Sequence, residues 1–97
     1  LMADDIVFEW DEAKRRANIA KHGIDFTLMA LFEWGTAMII PDDRHDEKRS
    51  IAIGMLQDRM HVAAITYRES KVRIISLRKA NRREQRRFEN AQSYSGH

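Results

Sequence analysis

The sequence has no cysteine, which excludes a disulfide framework and thiolate chemistry. It has one proline and four glycines, and no Gly-rich phosphate loop, repeat or low-complexity tract. Long hydrophobic runs are absent. Those present, such as Ala37-Met38-Ile39-Ile40, fall far short of the roughly 20 residues that cross a bilayer. Nothing like a signal peptide opens the chain, so the expectation is a cytoplasmic protein. Leu1, ahead of Met2, reads as a remnant and is set aside. Zinc-ligand spacing and a Ser/His/Asp signature are also missing. The stretch Asp42-Asp43-Arg44-His45-Asp46-Glu47 is dense in ligand types but lacks the glycine and terminal glutamate of an EF-hand loop, so it reads as a solvated loop. No metal and no cofactor are expected.

What is present is a short chain with a skewed charge. Its 97 residues, 43% hydrophobic, suit one domain over 1–97 with a thin core, and 1–5 and 92–97 as flexible ends. A thin core makes burial against a partner relevant to stability. The net charge of +2 conceals an asymmetry. Residues 1–47 hold five Lys/Arg and eleven Asp/Glu, net −6, while residues 48–97 hold twelve and four, net +8. Arginine outnumbers lysine twelve to five, and its planar fork binds phosphate bidentately. A basic, Arg-rich half points to a polyanion or to an acidic protein that mimics one, and equally to a solvated charged helix face.

Ile6, Phe8 and Trp10 alternate with Val7 and Glu9, a short strand pattern. Asp11 is a candidate N-cap for a helix over 12–22 with a weak stripe of Ala13, Ala17 and Ala20, ended by Gly23. Asp25 is the cap of a second predicted helix, with Leu28, Met29, Leu31 and Phe32 as its buried face and Gly35 as its stop. A strand over 37–40 is predicted to end at Pro41. Three meander strands follow, about 48–56, 60–68 and 71–78, turning at Gln57-Asp58-Arg59 and Glu69-Ser70. The third carries apolar residues on both faces and reads as central. A last helix spans about 80–91. The expected fold class is α+β, an antiparallel meander with two N-terminal helices and one C-terminal helix packed on it.

On the last helix Arg82, Arg83, Arg86 and Arg87 sweep one arc, and Leu77, Ala80, Phe88 and Ala91 gather opposite, with Glu84 among them. A carboxylate placed there needs a partner. A structural ion pair with Arg78 or Arg49 is favoured over a catalytic role, and the two can coexist. Arg68 and Arg78 end strands, and alternation places Arg73 on the face opposite Arg78. His22 sits at a helix C-terminus, where the dipole favours a cation; its other reading is an acid or base. Glu47 and Arg49 share a face two residues apart. Trp34 is expected in the core, and Trp10 is more open and able to stack on a base.

The ordered set Phe8-Glu9-Trp10-Asp11-Glu12-Ala13-Lys14, Asn18, Lys21-His22-Gly23-Ile24-Asp25-Phe26, Glu47-Lys48-Arg49, Gly54, Tyr67-Arg68, Arg73 to Ala80 and Glu84 resembles the BrnT toxins across about residues 6–90. That resemblance implies a RelE-like fold and a toxin of a bacterial type II toxin–antitoxin pair that cleaves RNA. It also implies a ribbon-helix-helix antitoxin partner, BrnA, through which the complex meets operator DNA and represses its own operon. Where the family often has Tyr, this chain has Phe88.

Metal-free RNA cleavage needs a base for the 2′-OH, cations for the charge on phosphorus and an acid for the leaving oxygen. Arg68 and Arg78 are the candidate charge clamp, His22 or Glu47 the proton carriers, and Glu84 the orienting carboxylate. Lys14, Lys21, Arg49, Arg82 and Arg83 are candidates for holding the RNA backbone. The competing readings are a non-catalytic nucleic-acid-binding module and an antitoxin-docking protein using the same basic face.

Overall fold

The computed structural model describes residues 5–95. Of the two ends expected to be flexible, residues 1–4 and 96–97 lie outside the described residues. Residues 92–95 continue the last helix, and the Gln92 side-chain amide donates to the Thr36 carbonyl at 2.9 Å. The elements are β1 (Phe8–Trp10), α1 (Glu12–His22), β2 (Met38–Asp42), β3 (Arg49–Leu56), β4 (Arg59–Arg68), β5 (Lys71–Lys79) and α2 (Arg82–Ser95). They build one five-stranded sheet in the order β1-β5-β4-β3-β2. The α+β class and the β3–β4–β5 meander are as expected. The sheet is mixed rather than antiparallel, because β1 pairs parallel to β5, Phe8 opposite Val72. A parallel neighbour requires a long crossover, and here residues 11–70 lie between the two strands. β5 is an interior strand, with β1 on one side and β4 on the other, and β4 stands in the middle of the five.

The second predicted N-terminal helix is not α-helical. Phe26–Leu31 and Trp34–Thr36 form 3₁₀ segments. The buried residues Phe26, Met29 and Phe32 recur every third position, which is the 3₁₀ repeat and lines them up on one side. Leu31, expected in the buried face, is exposed. These three side chains cover one face of the sheet, packing with Ala52, Leu56, Ala63, Ile65, Ile74 and Leu77. Gly54 belongs to this contact, since a Cβ there would meet the Phe32 ring at 2.7 Å. Trp34 stacks with Phe8 and packs edge-on against Phe32. Trp10 packs edge-on against Phe26, so it joins the core instead of standing free.

On the opposite face α2 lays Phe88, together with Ala80 just before the helix, over Ile53 and Val62. The arginine arc of α2 points outward as the periodicity implies: Arg82, Arg83, Arg86 and Arg87 are all exposed. Both hairpins turn through two residues with positive φ, Gln57 (50°) and Asp58 (63°), then Glu69 (49°) and Ser70 (71°). That geometry follows the right-handed strand twist. Pro41 does not end β2 but lies within it, opposite Ser50. β2 is an edge strand, so no outer neighbour needs the N–H that proline lacks.

Two further expectations change with tertiary structure. The alanine stripe of α1 is exposed at Ala13, Ala17 and Ala20, and the one buried residue of that helix is Asn18. Arg73 and Arg78 share a face. Ala64 pairs with Ser76 but the next residue, Ile65, pairs with Ile74, so β5 carries one extra residue at Ile75. That bulge reverses the alternation between the two arginines.

Candidate nucleic-acid interface

α1 is held beside β5 by one polar side chain. β1 pairs with β5 only from Val72 to Ile74, so the outward backbone groups of Leu77 lack a strand partner. Asn18 takes that place: its Oδ1 accepts from the Leu77 N–H at 3.1 Å and its Nδ2 donates to the Leu77 carbonyl at 2.8 Å. The same amide donates to the Ile24 carbonyl at 3.0 Å. Asn18 thereby fixes Lys14 and Lys21, four and three residues away, on the helix face turned toward β5. With His22 they line a shallow depression closed by Ile75 and Ser76. His22 itself is half-buried in the last turn, ahead of Gly23, whose φ of 71° forms the left-handed cap.

Glu47 is bonded by one cation and feels the charge of two more. Arg49, the first residue of β3, donates from Nε to Oε1 at 2.8 Å. That bond holds the carboxyl below its ordinary range, and the charges of Lys14 from α1 and Arg68 from the end of β4 act in the same direction. Glu47 is about half exposed (53%) and Arg49 largely covered (22%). The cluster is an ionised carboxylate at neutral pH among three cations, open to solvent. Thr66 braces it from below, its hydroxyl donating to the Lys48 carbonyl at 2.6 Å.

Arg78 and Glu84 form the expected pair, with Nη1–Oε1 and Nη2–Oε2 both 2.8 Å. The hydrogen bonds lower the Glu84 pKa and raise that of Arg78. Glu84 also caps the helix that carries it. Its Oε1 accepts from the Asn81 N–H at 2.9 Å while Asn81 Oδ1 accepts from the Glu84 N–H at 2.8 Å. This reciprocal capping box starts α2. The Asn81-x-x-Glu84 spacing is its signal in the sequence, one that helical periodicity alone passes over.

Arg78 lies opposite Val62, and Arg68 is six residues further along β4, about 20 Å at the rise of a strand. The two therefore do not clamp one phosphate together. Arg83 is drawn into a groove with Arg78 and Glu84 between β2 and α2. Arg82 is exposed in the first turn of α2 and joins none of these groupings. Sequence reasoning also missed Asp42, whose nearly buried carboxylate holds Arg44 through Nε at 2.8 Å and Nη2 at 2.9 Å.

A larger cleft, about 800 Å³, opens between α2 and the β3–β4 turn, lined by Met55, Met60 and Phe88. It carries charges of both signs from Asp58, Arg59, Lys79 and Glu89, and none of its lining residues belongs to the Glu47 cluster. Among the described residues, no three His, Asp or Glu side chains gather closely enough to hold a metal ion. No helix among them is long and apolar enough to cross a membrane.

No curated protein matches the chain. A family model described as "Ribonuclease toxin, BrnT, of type II toxin-antitoxin system" matches residues 10–84. That span runs from the end of β1 through α1, the whole β2–β5 meander and the α2 capping box. Over that span the chain belongs to the BrnT family of ribonuclease toxins of type II toxin–antitoxin systems.

Proposed function

We propose that this chain, acting as one RelE-like domain in the cytoplasm, cleaves RNA without a metal ion at the Glu47 cluster. The observation that carries the reading is the Glu47 carboxylate bonded by Arg49 of β3, within the field of Lys14 from α1 and Arg68 from β4. Glu47 is ionised at neutral pH and accepts the 2′-OH proton. The 2′-oxygen then attacks phosphorus and the bond to the 5′-oxygen breaks, leaving a cyclic phosphate and a 5′-hydroxyl. Arg68 and Arg49 offset the charge that builds on the phosphoryl oxygens, a role that here falls to side chains. The Lys14 ammonium supplies the proton to the leaving oxygen.

His22 lies eight residues beyond Lys14, about 12 Å along the helix, so with Lys21 it serves to hold the strand. Arg78, positioned by Glu84, and Arg82 and Arg83 hold the backbone farther away. The test is RNA incubated with the purified chain free of any partner. Glu47→Gln and Arg68→Gln are each expected to lower cleavage about 100-fold or more with unchanged melting. Full activity in Glu47→Gln, with loss in His22→Gln, would move proton transfer to the α1 depression and overturn this assignment.

The proposed partner is a BrnA-like ribbon-helix-helix antitoxin, through which operator DNA is contacted. Membership of a type II family supports that reading. Co-expressed antitoxin is expected to raise the melting temperature and block cleavage. Undiminished cleavage in the complex would refute it.

A further inference from the structure

The groove between β2 and α2 has an apolar floor and arginine walls. Ile40, Ile51 and Ile53 form the floor. Arg83 and Arg87, one turn apart on α2, form one wall, and neither has an ion-pair partner among the described residues. Arg44, tethered by Asp42, stands in the groove with them. The two carboxylates in the groove, Asp42 and Glu84, are already engaged by Arg44 and Arg78. What faces an incoming ligand is therefore positive charge above an oily base, in a space of about 530 Å³.

The groove adjoins the Glu47 cluster. Asp42 of the groove pairs in register with Arg49 of the cluster, and Ile51 is two residues from Arg49 on the same face, about 7 Å away. The geometry points to a single-stranded RNA track. It would run from Arg68 and Glu47 across the sheet to Arg83 and Arg87, with phosphates on the arginines and bases or riboses over the isoleucines. This rests on the proposed function and deepens it: the substrate class becomes an RNA single strand several nucleotides long, held well away from the cleaved bond. An acidic protein segment would suit the arginines too, but the continuity of charge with the cleavage cluster favours RNA.

The experiment compares binding of 2′-O-methyl RNA, which lacks the nucleophile, as a trinucleotide and an octanucleotide over a series of salt concentrations. The wild-type chain is expected to bind the octanucleotide more tightly and with a steeper salt dependence. Arg83→Gln/Arg87→Gln removes two exposed cations and keeps good helix formers, so α2 is retained. At about 0.7 in the logarithmic slope per single-strand phosphate contact, the slope should fall by about 1.4. If the lines meet near 1 M salt, affinity at 0.1 M then drops about 25-fold. Arg83→Lys/Arg87→Lys should keep the slope.

Unchanged octanucleotide binding in the glutamine variant, while the wild type still cleaves RNA, would overturn the track and leave the cleavage site standing. A poly-glutamate peptide that binds more tightly than the octanucleotide, and is lost in the same variant, would reassign the groove to an acidic protein. A wild-type chain that neither binds nor cleaves RNA would remove both readings.

Discussion

Removing the Asn18 amide tests whether one polar side chain joins α1 to the sheet. Asn18→Ala deletes three hydrogen bonds, all to backbone groups: the Leu77 N–H, the Leu77 carbonyl and the Ile24 carbonyl. The residue is 6% exposed, so the orphaned groups do not simply turn to water. An unsatisfied buried backbone group costs about 1–3 kcal/mol, and carbonyls sit at the lower end because they keep a second lone pair. The expected loss is about 3–5 kcal/mol, a large part of what a domain of this size holds. It should lower the melting temperature by about 12 °C or more.

Asn18→Asp sharpens the test. It keeps the shape but turns the donor into an oxygen facing two carbonyls. Facing them, the new carboxylate has its pKa raised, so the variant should be weak at neutral pH and regain stability as acid protonates it. Urea melts of both variants, with the exposed Lys21→Ala as control, give the answer. Cleavage should fall even where Asn18→Ala still folds, because Lys14 loses its placement. A loss under about 1 kcal/mol in Asn18→Ala would refute the reasoning, since α1 would then be held to the sheet by contacts other than the Asn18 amide.

Glu84→Gln keeps the cap on Asn81 but loses the ionic part of the Arg78 pair, and Arg78 is 39% exposed. Its cost should be about 1 kcal/mol or less, still above that of Glu89→Gln, and chemical denaturation of both compares them. Because the folded Glu84 pKa is lowered, its stabilisation is present above the ordinary glutamate range and lost as pH falls through the folded value. Glu84→Gln should flatten that acid limb, and an unchanged limb would contradict the pairing. Gly54→Ala drives a Cβ to 2.7 Å from the Phe32 ring, and overpacking of this kind costs about 1–3 kcal/mol; an unaltered thermal melt would show that Phe32 yields freely. RNA cleavage by the free chain should persist in EDTA, and loss restored by a divalent ion would rule out the arginine-based mechanism.

Most of the local structure is legible in sequence because each signal lies within a few residues of what it controls. Asp11 and Gly23 bound α1 because a cap acts on the neighbouring turn. The pairs Gln57-Asp58 and Glu69-Ser70 close hairpins whose flanking strands are marked by their apolar residues. The 3.6-residue repeat puts Glu84 on the inner side of α2 and leaves four arginines outside. Arg78 is one of two partners that the sequence offers Glu84, and six residues of separation make the pair nearly local.

Only the tertiary structure decided what depends on distant segments meeting. Asn18 reads as an ordinary helix residue until Leu77, fifty-nine positions away, presents an unpaired N–H and carbonyl. A single bulge at Ile75 undid the expected facing of Arg73 and Arg78, because alternation holds only while every residue takes its turn in the ladder. Glu47 gained its cations in the same way. Arg49 is two residues off, but the charges of Lys14 and Arg68 act on it from α1 and β4. Periodicity reports which side of an element is apolar; it does not report which other element arrives there, and this candidate site is assembled by those arrivals.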